Sequence, residues 1–401
     1  MPIVPTRAAL LLALLLAGCG NPPHPPPTTL TIDTLHPGLV QVTSPVPTGW
    51  SDSSTAWQYR TTLTIQPAPG SPGALSQPEQ ILVDEWGRIY VADKNPVSIK
   101  LFDSTGQFVR TIGQHGWGPG EYGALFLAVR GGHLVAHDPQ MNRTSVFDTS
   151  GTFLRSWATP GSWERIGIDS AGLIIMALPT TPERYGKRFG LAIGRFRMDG
   201  TPVDTLFVPL RDGNNSWSFS GGHDGAKAFA SRWIPFAPRP VLRFHPDGGF
   251  LVGWTGEYRI LRSARGEDTT AIYVRTWTPR RIPEAERRES VEAVVKDLQG
   301  LVGESNAREG AKLEEVPVEE LAYTSLAIDV DGNLFTFQPA GSDSTRTRLD
   351  VFSPAGAWLG PLTLPAAIPD HGVHFFGRRA IYYVARGADG RPSIVRLSRD
   401  R

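Results

Sequence analysis

The stretch QILVDEWGRIYVADKNPVSIKLFDSTGQFVRTIG (residues 80–113) returns, altered, as LAVRGGHLVAHDPQMNRTSVFDTSGTFLRSW (residues 127–157). Gly87, Asp93, Phe102, Asp103 and Gly106 recur as Gly132, Asp138, Phe147, Asp148 and Gly151, each displaced by 45 residues. Identities held at one spacing mark a structural repeat. Within each copy, short runs alternate apolar and polar residues as half-buried strands do, and glycine supplies the positive φ of a tight reversal.

Further units follow less faithfully, at 168–178 with 196–208, 241–254 with 258–274, 326–337 with 349–364, and 375–385 with 392–398. Six units of about four strands, at a period near 40 to 45 residues, predict an all-β six-bladed β-propeller. The chain resembles the six-bladed propellers of the NHL and related families through its D-x-x-G-x-h-Y-V-x-D strands, F-D-x-x-G turns and G-x-G-P-G-E connector. That resemblance covers residues 57 to 398 and implies a fold; propellers host many unrelated functions.

Between the first two units lies GQHGWGPGEY (residues 113–122). A phosphate-binding glycine loop needs a helix directly after it. Here a strand follows, so the loop reads as a joint that carries the chain inward to the next blade. The last unit has only three strands, which would leave an open edge. WQYRTTLTI (residues 57–65) alternates as a strand and is expected to complete that blade, closing the ring within a domain spanning 57–401.

Two insertions interrupt the later units. The first, residues 211–240, is rich in Gly, Ser and Asn and reads as a surface loop. The second, between blades 4 and 5, holds PEAERRESVEAVVKDLQGLV, where Val291, Val294, Val295, Leu298 and Leu301 recur at helical spacing. One inserted helix is expected over about 283–303, after a proline suited to a first turn.

The amino terminus reads as an export signal over 1–18: Arg7 precedes ten apolar residues, too few for the ~20 that span a bilayer. Leu16, Ala17, Gly18 and Cys19 resemble the lipobox of bacterial lipoproteins, which implies lipidation of Cys19 and attachment to a membrane. Residues 19–56 are assigned to the anchor and a Pro-rich tether that begins GNPPHPPPT. Gly20 stands where an aspartate would resemble an inner-membrane retention signal, so a cell-envelope location on the outer membrane is expected. Cys19 is the single cysteine, which leaves no intramolecular disulfide.

A net charge of +1 on 401 residues gives no bias toward polyanions, and nucleic acid is not an expected partner. Arginine supplies 34 of the 40 basic residues, but scattered through every unit and balanced by acids, as solvated strand faces are. His133 and His137, four apart on a strand, sit ~13 Å apart at ~3.3 Å per residue, too far to share a metal. His371 and His374, three apart, would face opposite sides of a strand. DVDGNL (residues 329–334) begins like a calcium loop but lacks its glycine and its bidentate glutamate, and reads as a hairpin turn.

Candidates for the axial channel or ring face are Glu121, Tyr122, Asn142, Arg143, Glu257 and Tyr258, at strand ends or connectors; Asp138 repeats Asp93 and reads as blade scaffold. The expected function is a monomeric binding module for a protein, peptide or glycan. The alternative is a metal-dependent hydrolase or lyase, because some six-bladed propellers such as lactonases hold calcium or zinc in the axial channel.

Overall fold

A computed structural model describes residues 29–118, 120–159, 166–179, 190–211, 215–222, 227–264, 266, 268–339 and 343–400. The signal peptide, Cys19 and the proline run lie outside the described residues. Six radial sheets form the body. Blade 1 runs Pro78–Val83, Ile89–Lys94, Val97–Phe102 and Phe108–Ile112 from axis to rim. Blades 2 to 5 repeat the same sequential antiparallel order, with inner strands Phe126–Arg130, Ile166–Ile168, Pro240–Phe244 and Ser325–Ile328. Neighbouring inner strands pack side by side around the axis, and apolar clusters fill the spaces between sheets.

Blade 6 is built from both ends of the chain. His374–Phe376, Ala380–Arg386 and Pro392–Arg399 supply three strands, and Tyr59–Ile65 pairs antiparallel with the last as the rim strand. The ring is therefore closed by an N-terminal strand, which removes the edge that three strands alone would expose.

The tether does not extend to residue 56. Thr31–His36 and Leu39–Ser44 form a hairpin, and the second strand runs parallel to Thr269–Arg275, enlarging blade 4 to six strands. The cause is an alternation of β-formers, TIDTLH and LVQVTS, around Pro37-Gly38, which buries Val42 against Ala271 and Tyr273. The chain then crosses the rim of blade 5, where Thr48 N donates to Trp358 O at 2.9 Å and Trp50 Nε1 to Pro361 O at 2.6 Å. One segment thus fastens blades 4, 5 and 6.

The insertions also differ from expectation. The first forms a hairpin, Ser216–Gly221 with Ala228–Trp233, because the S-W-S-F-S alternation gives it one apolar face despite its Gly and Ser content. The second holds two helices, α1 (Glu284–Val302) and α2 (Glu304–Gly310), separated by Gly303 at φ 89°. The buried stripe of α1 is Val291, Val295, Leu298 and Val302; Leu301, expected inward, points to solvent. Trp217 and Phe219 pack with that stripe into a satellite core containing no blade strand. Thr255 of blade 4 binds the residues by which both insertions rejoin the ring: its Oγ1 accepts Arg239 N at 2.9 Å and its carbonyl accepts Ala322 N at 2.8 Å.

Candidate functional site

Inner strands begin at the ring face where the blade-to-blade connections emerge, and at that end they leave a cavity of about 560 Å3 on the axis. Ile81, Phe126, Ile166 and Phe244 give it apolar walls from blades 1 to 4, and Arg243, Asp370, His371 and His374 add polar groups from blades 4 and 6. Gln80 belongs to the frame. It clamps the inner strand of blade 2, accepting from Leu127 N at 2.7 Å and donating to Leu127 O at 2.8 Å.

His374 starts an inner strand, Arg239, Asp370 and His371 precede one, and Arg243 lies near the end of another. Arg243 donates to Leu242 O at 2.8 Å and to Ser325 Oγ at 3.0 Å. Arg239 donates to Thr324 O at 3.2 Å and to His371 Nε2. His371 also lies 3.6 Å from Asp370 Oδ2. His374 is wedged between the rings of Phe337 and Phe376, with centroids 5.3 and 5.5 Å away. Its Nδ1 is buried and makes no hydrogen bond of good geometry.

Burial first, and then the Arg243 cation, pushes the His374 pKa down to about 4 against the pull of the Pro369 backbone. Burial and Arg239 lower His371 in the same way. Both imidazoles are neutral at pH 7, so each ring offers one donor and one acceptor. Among the described residues, no three of His, Cys, Asp and Glu converge as a metal site would require.

None of the six residues singled out in the sequence lines this cavity. Four gather in the joint between blades 1 and 2, where Gln114–His115 pairs with Glu121–Tyr122. Glu121 accepts from Gly118 N and Gln114 Nε2, both at 2.8 Å, which lowers its pKa. Tyr122 is fully buried, and Arg143 lies over its ring while donating to Gly118 O at 2.9 Å and to the Glu121 carbonyl. Asn142 is a turn residue at φ 49° whose carbonyl accepts Thr159 N at 2.7 Å. The glycine-rich loop leaves carbonyls to satisfy, and Arg143 satisfies them.

The remaining pair is structural too. Glu257 forms a surface ion pair with Arg211 at 3.0 Å. Tyr258 is buried between blades 4 and 5, donating to Asp350 Oδ2 at 2.6 Å; Arg275 and Trp358 bind the same carboxylate at 2.5 and 3.0 Å. Burial raises the pKa of both Tyr258 and Asp350, while Arg275 opposes it. Asp93 and Asp138 are equivalent scaffold, as their repeat implies. Asp93 accepts from Ser76 N and Gln77 N, and Asp138 from Gly123 N, Gln140 N and Met141 N.

The spacing of His371 and His374 puts them on opposite faces only where both lie on one strand. The strand begins only at His374, so His371 lies in the preceding connection and the two-residue period does not govern it. No local spacing signals Arg239 or Arg243, which meet the histidines only when the ring closes.

A model of the DUF5128 family, described as a 6-bladed beta-propeller, matches residues 74–128. No curated protein matches the chain. Among solved structures, it is similar to a candidate exported protein of Bacteroides fragilis, at 10% identity and TM-score 0.50 over 90% of this chain and 100% of that one. A DUF4221 member from Bacteroides vulgatus matches at 11% identity and TM-score 0.44, over 85% of this chain and 98% of that one. Virginiamycin B lyase from Staphylococcus aureus matches at 12% identity and TM-score 0.41, over 85% and 99%. These likenesses concern the fold.

Proposed function

We propose that this chain is an exported, NHL-like propeller, lipid-anchored through Cys19 on the outer membrane, that acts as a binding module. Its ligand is a protein, peptide or glycan, one end of which enters the axial cavity. The observation that carries this reading is the cavity itself: about 560 Å3, lined by apolar side chains of blades 1 to 4 together with Glu79, Gln80, Arg243, Asp370, His371 and His374. That volume falls within the ~300–1,000 Å3 of ligand pockets, where convergent polar groups fix a ligand's orientation. A metal-dependent hydrolase or lyase is the second reading; among the described residues no three of His, Cys, Asp and Glu converge.

Two measurements test it. A photo-crosslinking residue at Phe126, in the cavity wall, should capture a discrete adduct in intact cells, and Ile166→Trp should abolish it by filling the space. An adduct insensitive to that substitution, or no adduct, refutes the cavity as the binding site. Labelling with an alkyne fatty acid should mark the wild type and spare Cys19→Ser; equal labelling refutes the anchor.

A further inference from the structure

The hairpin of the first insertion presents a second candidate surface, none of whose residues lines the axial cavity. Its register pairs Ser216 with Trp233, Ser218 with Ser231 and Ser220 with Phe229. Successive side chains on a strand point to opposite faces. Trp217 and Phe219 take the inner face, 4% and 3% exposed in the satellite core, so the six paired residues take the outer one. There Phe229 is 76% exposed and Trp233 50%. No outward position carries a charge.

We propose that this face binds a neutral polysaccharide chain, with Phe229 and Trp233 stacking on sugar rings and the serine row bonding to sugar hydroxyls. The two aromatics are four residues apart on one strand, so ~13 Å at ~3.3 Å per residue separates them along a straight line. An extended glycan presents an apolar C–H ring face repeatedly along such a line. Each aromatic stands opposite a serine, and Ser231 lies between them opposite Ser218. A hydroxyl both donates and accepts, which matches the hydroxyls of a sugar.

Charge selects among occupants. The six outward positions of the described strands offer no cation to hold phosphate or uronate and no anion to hold a basic peptide, so an uncharged chain is their complement. The serine row also breaks the continuous apolar surface that a bilayer or the centre of a protein interface would bury.

The platform is packed and hydrogen-bonded from behind before it binds, which limits the ordering cost of association. Behind it, Trp217 Nε1 donates to Glu315 Oε2 at 2.8 Å and Arg232 pairs with Asp297 of α1 at 2.9 Å.

Affinity electrophoresis of the full chain in gels containing glucomannan, xyloglucan or dextran, with alginate as a charged counterpart, tests the proposal. At least one neutral polymer should retard the wild type and alginate should not. Phe229→Ser with Trp233→Ser should weaken that affinity at least tenfold at an unchanged melting temperature, because both side chains are exposed. Ser231→Glu, which keeps both aromatics, should weaken it as well. His374→Phe in the axial cavity should leave it intact, which separates this site from the cavity reading. No retardation by any neutral polymer overturns the proposal, as does retardation that survives the aromatic double variant. Aromatic-dependent cosedimentation with phosphatidylcholine vesicles in place of retardation overturns it in favour of a lipid surface.

Discussion

Ile65 faces Ile394 across the outer pair of strands in blade 6, joining the amino-terminal part of the chain to its carboxyl-terminal strand. They are 6% and 0% exposed, packed with Ile81 and Ile89 of blade 1. The seam is therefore hydrophobic core as well as hydrogen-bonded edge. Ile394→Ala should cost about 2–5 kcal/mol through lost burial and the cavity left behind, read from the denaturant midpoint. Deleting residues 59–65 should remove the cooperative transition altogether. If the deleted protein melts as the wild type does, the ring does not depend on this closure.

Gly113 opens the joint between blades 1 and 2 at φ 71°, where an added Cβ would lie 2.5 Å from Tyr122 Cε2. Gly131, at φ 59°, has nothing within 4 Å of the same added atom. Gly131→Ala should cost only the left-handed backbone term, about 1–2 kcal/mol. Gly113→Ala should add an overpacking cost of roughly 1–3 kcal/mol by displacing a buried ring. Thermal melts of the two variants compare them directly. Equal losses would show that Tyr122 yields freely and that the joint is not packed against the core.

What could be read in the sequence depended on how local its cause was. Asp93 and Asp138 recur because each holds backbone N–H groups of the connection entering its own blade, Ser76 and Gln77 or Gly123, a requirement contained within one repeat, so both fold and role were legible. The rim strand was legible because Tyr59–Ile65 alternates and an unclosed sheet demands a partner. The hairpin of the first insertion was hidden because its serines and glycines look like loop, although Trp217 and Phe219 already stood two apart. The axial cavity was not legible. Arg239, Arg243, His371 and His374 come from the connections and inner strands of blades 4 and 6, and only ring closure brings them together. Glu121, Tyr122, Arg143 and Tyr258 drew attention as polar groups at strand ends, and structure spends them on satisfying a glycine-rich loop and an inter-blade network.

The satellite core should fail on its own. Leu298 of α1 is fully buried among Trp217, Phe219, Val295 and Ala307, with no blade strand in that cluster. Leu298→Ala should destabilise this unit by about 2–5 kcal/mol, and hydrogen exchange should accelerate in Ser216–Gly221, Ala228–Trp233 and Glu284–Val302 while the blades stay protected. Local opening of this kind is expected where few contacts join a unit to the rest. Uniform acceleration across blades 4 and 5 would mean that the satellite is part of their fold.

His137 and His374 both have their pKa lowered to about 4 from an ordinary 6.5, in each case chiefly by burial. Asp138 opposes the shift at His137, while Arg243 reinforces it and Asp370 opposes it at His374. In the folded state these rings stay neutral until about pH 4, whereas in the unfolded chain they take up protons below 6.5. The unfolded state therefore binds more protons throughout that window, and stability must fall as pH drops through it. Below about 4 both states are protonated and the loss levels off. Replacing His374 by Phe, between Phe337 and Phe376, removes one such contribution. The unfolding free energy of the variant, followed by denaturant titration from pH 7.5 to 3.5, should fall less steeply than that of the wild type between 6.5 and 4. Carboxylates that titrate at lower pH are common to both proteins and cancel in the difference. A difference that is constant with pH would show that the His374 ring is solvated enough to keep its ordinary pKa, and with it would go the picture of a dry inner wall to the axial cavity.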